Sequence, residues 1–345
     1  MAKQRERGWP PDPEPLPVPV VDNHTHLDSI AHVLPDDVPV PSVADHLAQA
    51  AAVGVDRVVQ VGCDLPAARW TDALLRGDLA AWGTTSAAEH AVTPAEHGVP
   101  ARPGGVTGDN PMLGVGPGGV GRLVGAVAIH PNEAVLHGGV REVGPDGLLP
   151  DPQAHHDVPL DDAVAEIAAI ARGNDRVRAI GETGMDLFRT GSQGEAVQRE
   201  AFRAHVALAK ELGLALQIHD RDAHAEVLDV LARDGAPERT VFHCYSGDAA
   251  MARFCAEQGW YLSFAGPVTF RANDELRAAL REVPLGQVLV ETDAPYLTPH
   301  PYRGRPNAPY VLPTTVRTVA EVVDLPLADV CARLAATSVA VYGPW

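Results

Sequence analysis

The sequence predicts an α/β fold, a TIM (β/α)8 barrel, and three observations support this prediction. Short apolar runs rich in β-branched residues recur along the chain, and most are separated by alanine-rich stretches of helical period. There are about eight such units, the number that closes a barrel. Residues able to bind metals follow at least five of the runs, and only a closed ring of parallel strands brings those ends to one mouth.

The apolar runs are near-continuous in hydrophobicity, as expected for a parallel sheet buried on both faces. The predicted strands are residues 18–21, 57–61, 124–129, 177–180, 214–218, 240–242, 260–264 and 287–290. The predicted helices are residues 43–53, 160–171, 195–212, 223–232, 249–258 and 274–281. An open, doubly wound sheet is the alternative, but it would bind its ligand at one switch point and leave the metal-binding residues scattered.

Two segments lie outside this alternation. Residues 1–16 are charged and Pro-rich, which predicts an extended tail leading into a barrel domain of residues 17–345. Residues 83–121 are rich in Gly, Pro, Ala and Thr, and they interrupt the pattern between the second helix and the third strand. We expect a flexible insertion there, and we expect its histidines, His90 and His97, to be solvated.

A second long connection spans residues 137–158 and contains two adjacent histidines, His155 and His156. Histidines in loops are far more often solvated than functional, so we expect the same of this pair. Either long connection could cover a substrate, but neither sequence specifies which substrate that would be.

The composition limits the partners that the chain can have. Its 345 residues carry a formal net charge of −18, which argues against broad electrostatic attraction to nucleic acid. A nucleic-acid substrate would have to be held locally, by arginine or by metal. The four cysteines lack a Cys-x-x-Cys pattern, which disfavours a thiolate zinc site and is typical of a reduced compartment. No apolar stretch resembles a signal peptide or membrane span, so we expect a cytoplasmic protein without membrane partners.

Six residues that can bind metals stand at the ends of predicted strands. They are His24, His26, Glu182, His219, His243 and Asp293. His24 and His26 are two residues apart, so in a strand their side chains project to the same face. Four imidazoles and two carboxylates are enough for two divalent metals, with Glu182 as the bridge. Two metals about 3.5 to 4 Å apart can activate a water and neutralise charge on both oxygens of a hydrolysed ester, which predicts a hydrolase.

Each of these residues also has a purely structural explanation. Asp293 could cap a following helix, Glu182 could cap the segment after it, and an isolated His-x-His is more often structural than metal-binding. The coincidence of six strand ends favours the metal site. Within such a site Asp293 could accept the proton of the water, acting as general base while it remains a ligand.

Four further residues are candidates for substrate binding, namely Arg221, Arg303, His130 and Tyr296. The two arginines could bind a phosphate with their bidentate guanidinium groups, or could pair with neighbouring acids. His130 could donate to a substrate oxygen, or be a buried and hydrogen-bonded histidine. Tyr296 could stack on a base, or pack beside Pro295.

Six motifs, in order, resemble those of the TatD family of metal-dependent hydrolases, within the amidohydrolase superfamily of TIM barrels. They are VDNHTHLD at 21–28, AIHPNE at 128–133, IGETGMD at 180–186, QIHDRDAH at 217–224, HCYSG at 243–247, and ETDAPYLTP with the downstream RGRPNAP at 291–309. The resemblance covers nearly the whole chain except the tail and the two long connections.

The resemblance implies a binuclear site with two ligand sets, which are His24, His26, Glu182 and Asp293 for one metal and Glu182, His219 and His243 for the other. It also implies a magnesium- or manganese-dependent deoxyribonuclease, typically a 3′–5′ exonuclease on single-stranded DNA. A four-histidine site is softer than magnesium prefers, so ligand chemistry alone favours zinc, manganese or iron. We therefore expect two divalent cations, Mg, Mn or Zn.

Two other functions are compatible with these residues. An ester or amide hydrolase, such as a D-aminoacyl-tRNA deacylase, could use the same site, since metals polarise a carbonyl as readily as a phosphoryl group. A binding or regulatory protein on a decayed barrel is the third possibility, and the six intact ligand types argue against it. The sequence indicates no obligatory protein partner.

Overall fold

The computed structural model describes residues 8–34, 38–83 and 117–345. The described strands are β1 Val20–Thr25, β2 Val55–Gly62, β3 Leu123–Val127, β4 Val177–Asp186, β5 Ala215–Arg221, β6 Thr240–Phe242, β7 Tyr261–Phe264 and β8 Val288–Val290. The described helices are α1 Val43–Ala52, α2 Leu65–Leu75, α3 Leu79–Gly83, α4 Pro131–His137, α5 Leu160–Gly173, α6 Ser192–Leu212, α7 His224–Asp234, α8 Ala249–Glu257, α9 Asp274–Arg281, α10 Leu312–Val323 and α11 Leu327–Tyr342. Among these helices none is long and apolar enough to cross a membrane. Most of the predicted insertion, with His90 and His97, lies outside the described residues.

The strands form one sheet that runs in chain order from β1 to β8, with every neighbouring pair parallel. The last strand contacts the first through hydrogen bonds made at the end of β8 and just beyond it. Asn23 Nδ2 donates to the carbonyl of Val290 at 2.8 Å, and the amide of Asp293 donates to the carbonyl of His24 at 2.9 Å. The predicted TIM barrel is therefore confirmed, and its closure places Asp293 beside β1.

Several helices begin where the sequence supplies a cap. Ser42 and Asp45 form a capping box at α1, since the Ser42 hydroxyl accepts from the Asp45 amide and the Asp45 carboxylate accepts from the Ser42 amide. The Asp64 carboxylate caps α2 and the Asp248 carboxylate caps α8, each by accepting a backbone amide of the first turn. Asp64 follows β2 almost directly, so α2 folds back onto the outside of the barrel after a short turn.

Three strands continue past the apolar runs that predict them. β1 extends to Thr25, β4 to Asp186 and β5 to Arg221, because their polar ends keep pairing with neighbouring strands. An apolar run reports only the part of a strand that lies in the core, whereas backbone pairing continues where side chains become polar. Glu182 and His219 consequently lie within strands rather than after them.

The inside of the barrel changes character along its axis. Its lower part is a cluster of small and β-branched side chains closed by the C-terminal helix, formed by Val21, Val59, Val61, Val124, Ala126, Ala179, Ala215, Val241, Leu289, Val341 and Tyr342. Above it, Gln217 Nε2 donates to the Tyr342 hydroxyl at 2.7 Å and to the carbonyl of Asn23 at 3.0 Å. The apolar cluster therefore ends at a polar layer around Gln217. The carboxyl ends of the strands lie above this layer and can carry functional groups.

Residues 8–16, the described part of the predicted tail, contain no helix or strand and are packed against the barrel. The Tyr310 hydroxyl donates to the carbonyl of Pro10 at 2.7 Å, and Arg317 donates to the carbonyl of Glu14 at 2.8 Å. Trp9 packs edge-on against His46 of α1, with ring centroids 5.7 Å apart. Residues 8–16 thus cover part of α1 and the region around Tyr310.

The burial of His46, against which Trp9 packs, leads to a prediction about acid stability. His46 is buried, neither of its ring nitrogens makes a hydrogen bond, and burial lowers its pKa from 6.5 to about 4. The neutral ring therefore stabilises the folded state above pH 6.5, and this contribution is lost as the pH falls towards 4. From this shift we expect a loss of about 3 kcal/mol.

Chemical denaturation of the wild type and of His46→Phe between pH 7.5 and 4 measures this loss. Phenylalanine keeps the ring and cannot be protonated, so the variant should gain about 3 kcal/mol relative to the wild type across the range. The exposed His32 gives a matched control variant, His32→Phe. A difference between His46→Phe and the wild type that stays constant with pH would contradict the prediction.

Candidate metal centre

The end of β1 and the segment after β8 form one half of a polar cluster. His24 and His26 project to the same side, with their Nε2 atoms 3.2 Å apart. Asp293 Oδ1 lies 3.4 Å from His26 Nε2 and 3.9 Å from His24 Nε2. All three residues are buried. A cation bound at about 2.0 to 2.1 Å from each ligand needs donor atoms spaced in this way.

The ends of β4, β5 and β6 form the other half. Glu182 Oε2 lies 2.6 Å from His243 Nε2, 3.6 Å from His219 Nδ1 and 3.5 Å from His24 Nε2. The facing nitrogens His219 Nδ1 and His243 Nε2 are 3.3 Å apart. Glu182 therefore lies between the two groups of histidines, the position that its place in strand order predicts for a bridging ligand.

The same donor atoms can be grouped in more than one way. Donor atoms within 4.8 Å of one another also occur in two overlapping sets, which are His24, His243 and Glu291, and His130, Glu182 and His219. The overlap arises because His24 and His243 stack, with ring centroids 4.1 Å apart. The centre is thus one continuous cluster of ligand atoms rather than two separated sites.

Two of the histidines are held by hydrogen-bonding partners on the side away from the cluster, His26 Nδ1 by the Val61 carbonyl at 3.1 Å and His219 Nε2 by Asp186 Oδ2 at 3.3 Å. His243 Nδ1 faces Glu291 Oε1 at 3.4 Å as an ion-pair contact without a hydrogen bond. An imidazole that gives its proton to such a partner keeps a lone pair on its other nitrogen. In each case that other nitrogen faces the cluster, so the rings are oriented as metal ligands are.

The backbone of Asp293 is left-handed, with φ of +51°. Aspartate tolerates this conformation better than most residues, and such residues cluster at functional sites. The next helical turn after Asp293 in the described chain begins at Pro309, so Asp293 does not cap a helix. Its conformation turns the carboxylate towards His26 instead.

Two further carboxylates, Asp186 and Glu291, lie around the centre outside the set predicted from the sequence. The signal that could have found Asp186 is the period of two along β4, since it is four residues from Glu182 on that strand. Glu291 directly follows the apolar run of β8, as the candidate ligands follow theirs. Glu291 Oε1 also accepts the amide of Cys244 at 2.6 Å, which fixes the turn that follows His243.

Removing the Asp186 carboxylate should weaken metal binding. In Asp186→Ala, His219 loses the acceptor of its Nε2 proton, so its orientation and its basicity at Nδ1 both suffer. We expect the dissociation constant of the metal to rise about 10- to 100-fold. Equilibrium dialysis against Mn²⁺ measures it, with Asp186→Asn retaining an acceptor and giving a smaller change. Wild-type affinity in Asp186→Ala would refute the role.

The electrostatics of the cluster keep its bridging carboxylate ionised. Burial alone would raise the pKa of Glu182, but His243 and His130 outweigh it and lower that pKa well below its usual range. Burial lowers the pKa of His24, and the neighbouring His243 lowers it further. Against the opposing effect of burial, the neighbouring carboxylates raise the pKa of His26, His219 and His243, so a divalent cation would displace protons from these imidazoles on binding.

A cavity of about 640 Å³ opens above the cluster. His26, Glu182, His219, His243 and Asp293 lie on its surface. Part of its wall comes from the long connection of residues 137–158, through Glu142, Asp146, Leu148, Leu149, Pro150 and Asp151. The connection therefore shapes the space in front of the candidate ligands.

Two of the predicted substrate-binding residues, Arg221 and Tyr296, line this cavity with exposed side chains. Arg221 lines it with its guanidinium 3.9 Å from the ring centroid of Phe188, and no described carboxylate lies within 4 Å of that group. Tyr296 lines it with 49% of its surface exposed, and its ring centroid is 6.1 Å from that of His26. A charged group and an open aromatic face thus flank the metal-ligand cluster.

His130 and Arg303 are placed differently. His130 Nδ1 accepts from the amide of Asn132 at 3.1 Å, and its Nε2 lies 3.4 Å from Glu182 Oε1, so Nε2 carries the proton and points into the centre. Burial lowers the pKa of His130 to about 4. Arg303 packs over Phe270 and lines a neighbouring groove, so it is not brought to the candidate ligands.

The prediction that His155 and His156 are solvated is wrong. His156 is buried and its Nε2 lies 2.7 Å from Glu133 Oε2, while His155 Nε2 lies 3.3 Å from the same oxygen. The connection is not an exposed loop, because it folds back onto α4 and packs these two rings against Glu133.

Comparison with known proteins identifies the family of the chain. A family model described as TatD related DNase matches residues 21–343. A Mycobacterium tuberculosis protein named uncharacterized metal-dependent hydrolase TatD is 40% identical over 309 residues, covering 88% of this chain and 90% of that protein. The uncharacterized metal-dependent hydrolase YabD of Bacillus subtilis is 38% identical over 158 residues, 46% of this chain and 62% of that protein.

Solved structures show the same fold. The TatD homologue YJJV of Escherichia coli superposes with a TM-score of 0.68 at 19% identity, covering 94% of this chain and 97% of that one. A TatD family hydrolase of Entamoeba histolytica gives 0.69 at 13% identity, covering 96% and 100%. Together with the sequence matches, these likenesses confirm the resemblance read from the six motifs: the chain belongs to the TatD family of metal-dependent hydrolases.

Proposed function

We propose that this hydrolase is a deoxyribonuclease that removes nucleotides from the 3′ end of single-stranded DNA. The observation that carries the proposal is the position of Arg221, whose guanidinium faces the cavity beside the metal-ligand cluster without a carboxylate partner among the described residues. A guanidinium next to a cluster of metal ligands suits a phosphodiester, because both bind the non-bridging oxygens of phosphate. The family model's own description, TatD related DNase, points the same way.

The residues present fit two divalent cations, Mg, Mn or Zn. Glu182 Oε2 is buried and makes no hydrogen bond of normal geometry, although three imidazole nitrogens surround it. We assign the ligands of one cation to His24, His26, Glu182 and Asp293, and those of the other to Glu182, His219 and His243. When bound, the cations would lower the pKa of a water and neutralise charge on the phosphodiester oxygens.

The remaining residues have roles that follow from their positions. Asp293, at the edge of the cavity, accepts the proton of the attacking water. Arg221 binds the phosphate, and the Nε2 proton of His130 is donated to a substrate oxygen. Tyr296 stacks on the base of the terminal nucleotide, since its ring is half exposed at the cavity.

The negative net charge of the chain favours contact with DNA over a small area only. A protein with a net charge of −18 cannot attract a duplex through a broad basic surface, and the wall of the cavity carries Glu142, Asp146 and Asp151. A flexible single-stranded end can enter the cavity without bringing many phosphates near these acids. This favours cleavage from an end over cleavage within a strand.

The test is nucleotide release from end-labelled single-stranded DNA by the metal-loaded protein, with Mg²⁺, Mn²⁺, Co²⁺ and Zn²⁺ in turn. We expect labelled mononucleotides from the 3′ end and slower release from duplex DNA. Arg221→Gln should raise KM about tenfold or more, as expected for loss of a charge-assisted hydrogen bond. Arg57→Gln, in which another aromatic-packed arginine is changed, is the matched control.

Absence of DNA cleavage with all four metals would refute the proposed function. Release of amino acid from D-aminoacyl-tRNA under conditions that leave DNA intact would replace it with the deacylase function. An Arg221→Gln variant with wild-type KM on DNA would remove the observation on which the proposal rests.

A further inference from the structure

A second cluster of histidines and a carboxylate lies at the rim of the cavity, outside the candidate centre. Glu133 and His137 are four residues apart on α4, so they share one face of that helix. His155 and His156 lie on the short helical turn Ala154–Asp157, which folds against α4. Donor atoms of Glu133, His155 and His156 are all within 4.8 Å of one another.

His137 has the arrangement of a metal ligand. Its Nδ1 donates to the carbonyl of Val158 at 2.7 Å, so its Nε2 keeps a lone pair. That Nε2 is buried and makes no hydrogen bond, and the residue is only 6% exposed. His26 of the candidate centre is held in the same way by the carbonyl of Val61. An unpaired buried nitrogen of this kind costs free energy unless a partner occupies it.

His156 has a different role, which its hydrogen bonds define. Its Nδ1 accepts from the amide of Gln153 at 2.7 Å, so the proton of the neutral ring is on Nε2. That proton is donated to Glu133 Oε2 at 2.7 Å. His156 therefore orients the carboxylate, as hydrogen-bonding partners of ligating carboxylates do in metal sites.

His155 completes the set. Its Nε2 lies 3.3 Å from Glu133 Oε2, the spacing found between the facing donors of the candidate centre. The ring of His137 lies beside both histidines of the turn, with its centroid 5.9 Å from that of His155 and 5.0 Å from that of His156.

We propose that Glu133, His137 and His155 bind a structural zinc ion, with His156 orienting Glu133. Two imidazoles and a carboxylate are a ligand set that zinc accepts, with water as the fourth ligand. The ion would tie α4 to the turn at Ala154–Asp157 and close the intervening connection into a loop. Since that connection supplies part of the cavity wall, the zinc would hold the wall in place.

The test is the zinc content of protein stripped with a chelator, reloaded with ZnCl₂ and desalted. Plasma mass spectrometry should show one equivalent less zinc in His155→Ala and in Glu133→Gln than in the wild type. His224→Ala is the matched control, because it disrupts an imidazole–carboxylate pair with Asp220, at 2.8 Å, on another part of the barrel. The control should keep the wild-type zinc content.

Two further measurements separate this site from the candidate centre. In a His26→Ala background, the His155→Ala change should still remove one equivalent, whatever that centre binds and whether or not the protein cleaves DNA. Cobalt loaded into the same background should give visible d–d absorption that Glu133→Gln reduces, because cobalt held by Glu182, His219 and His243 would still absorb. Circular dichroism establishes that the variants are folded, and the nearly isosteric Glu133→Gln decides the matter if His155→Ala is not.

Equal zinc contents in the wild type, His155→Ala and Glu133→Gln would overturn the proposal. The cluster would then only hold the connection against α4 by hydrogen bonds. An equal loss in His224→Ala would also overturn it, because any imidazole–carboxylate pair would then account for the bound zinc.

Discussion

The Asp293→Asn variant should lose about 10³-fold in kcat on DNA and keep most of its metal. Asparagine retains an oxygen that can coordinate a cation, but its amide cannot accept the proton of an attacking water. General-base catalysis contributes about 10²- to 10⁴-fold to rates, which sets the size of the expected loss. The separation between metal content and turnover is what identifies Asp293 as a base as well as a ligand.

The chain offers a matched control for this change. Asp324 has the same left-handed backbone, with φ of +53° against +51° for Asp293, and it ends α10 away from the centre. Asp324→Asn should therefore have wild-type kcat and metal content. Elemental analysis and initial rates of nucleotide release measure both quantities. Full activity in Asp293→Asn would contradict the assignment, and complete loss of metal would show that the residue acts as a ligand alone.

The His26→Ala variant should have no measurable turnover and should lose metal. His26 Nε2 lies within 3.4 Å of both His24 Nε2 and Asp293 Oδ1, so its loss opens the coordination sphere of the cation that they share. The Asp293 carboxylate would then be left beside a cavity where the imidazole was removed. Because general-base and electrostatic catalysis both depend on this cation, we expect a larger loss than in Asp293→Asn.

Metal content by mass spectrometry and rates with excess Mn²⁺ measure the effect of His26→Ala. His32→Ala, which removes an exposed histidine six residues further along the chain, is the control and should behave as the wild type. If His26→Ala kept wild-type turnover and metal, the ligand assignment at the end of β1 would be wrong.

The fold could be predicted from the sequence because barrel strands are buried on both faces. Their apolar runs stand out against the helical stretches, and all eight strands coincide with predicted runs. The predicted ends were less accurate, since β4 continues six residues past its apolar run to Asp186. Backbone pairing extends that strand, and side-chain polarity does not report such pairing.

The six candidate ligands could be found because each follows an apolar run, so a closed barrel must bring them together. Partners that act through a ligand carry weaker signals. Asp186 shares a strand with Glu182 and Glu291 follows β8, but among the 45 acidic residues of the chain only the three-dimensional contact with His219 or His243 distinguishes them. Arg303 lines a groove beside the cavity, because a place in a motif does not determine which groove a side chain enters.

The connection of residues 137–158 could not be interpreted from its sequence. Its pattern has no period, so nothing in the sequence indicates that His155 and His156 turn back onto Glu133. Contacts of this kind join segments about twenty residues apart through side chains alone, and a reading based on runs and spacing does not capture them.

Anomalous X-ray scattering from Mn²⁺-loaded crystals tests the proposed two-cation centre at Glu182 most directly. We expect two anomalous peaks about 3.5 to 4 Å apart on either side of the Glu182 carboxylate, one beside His26 and Asp293 and one beside His219 and His243. A single peak at full Mn²⁺ occupancy, or peaks away from Glu182, would contradict it.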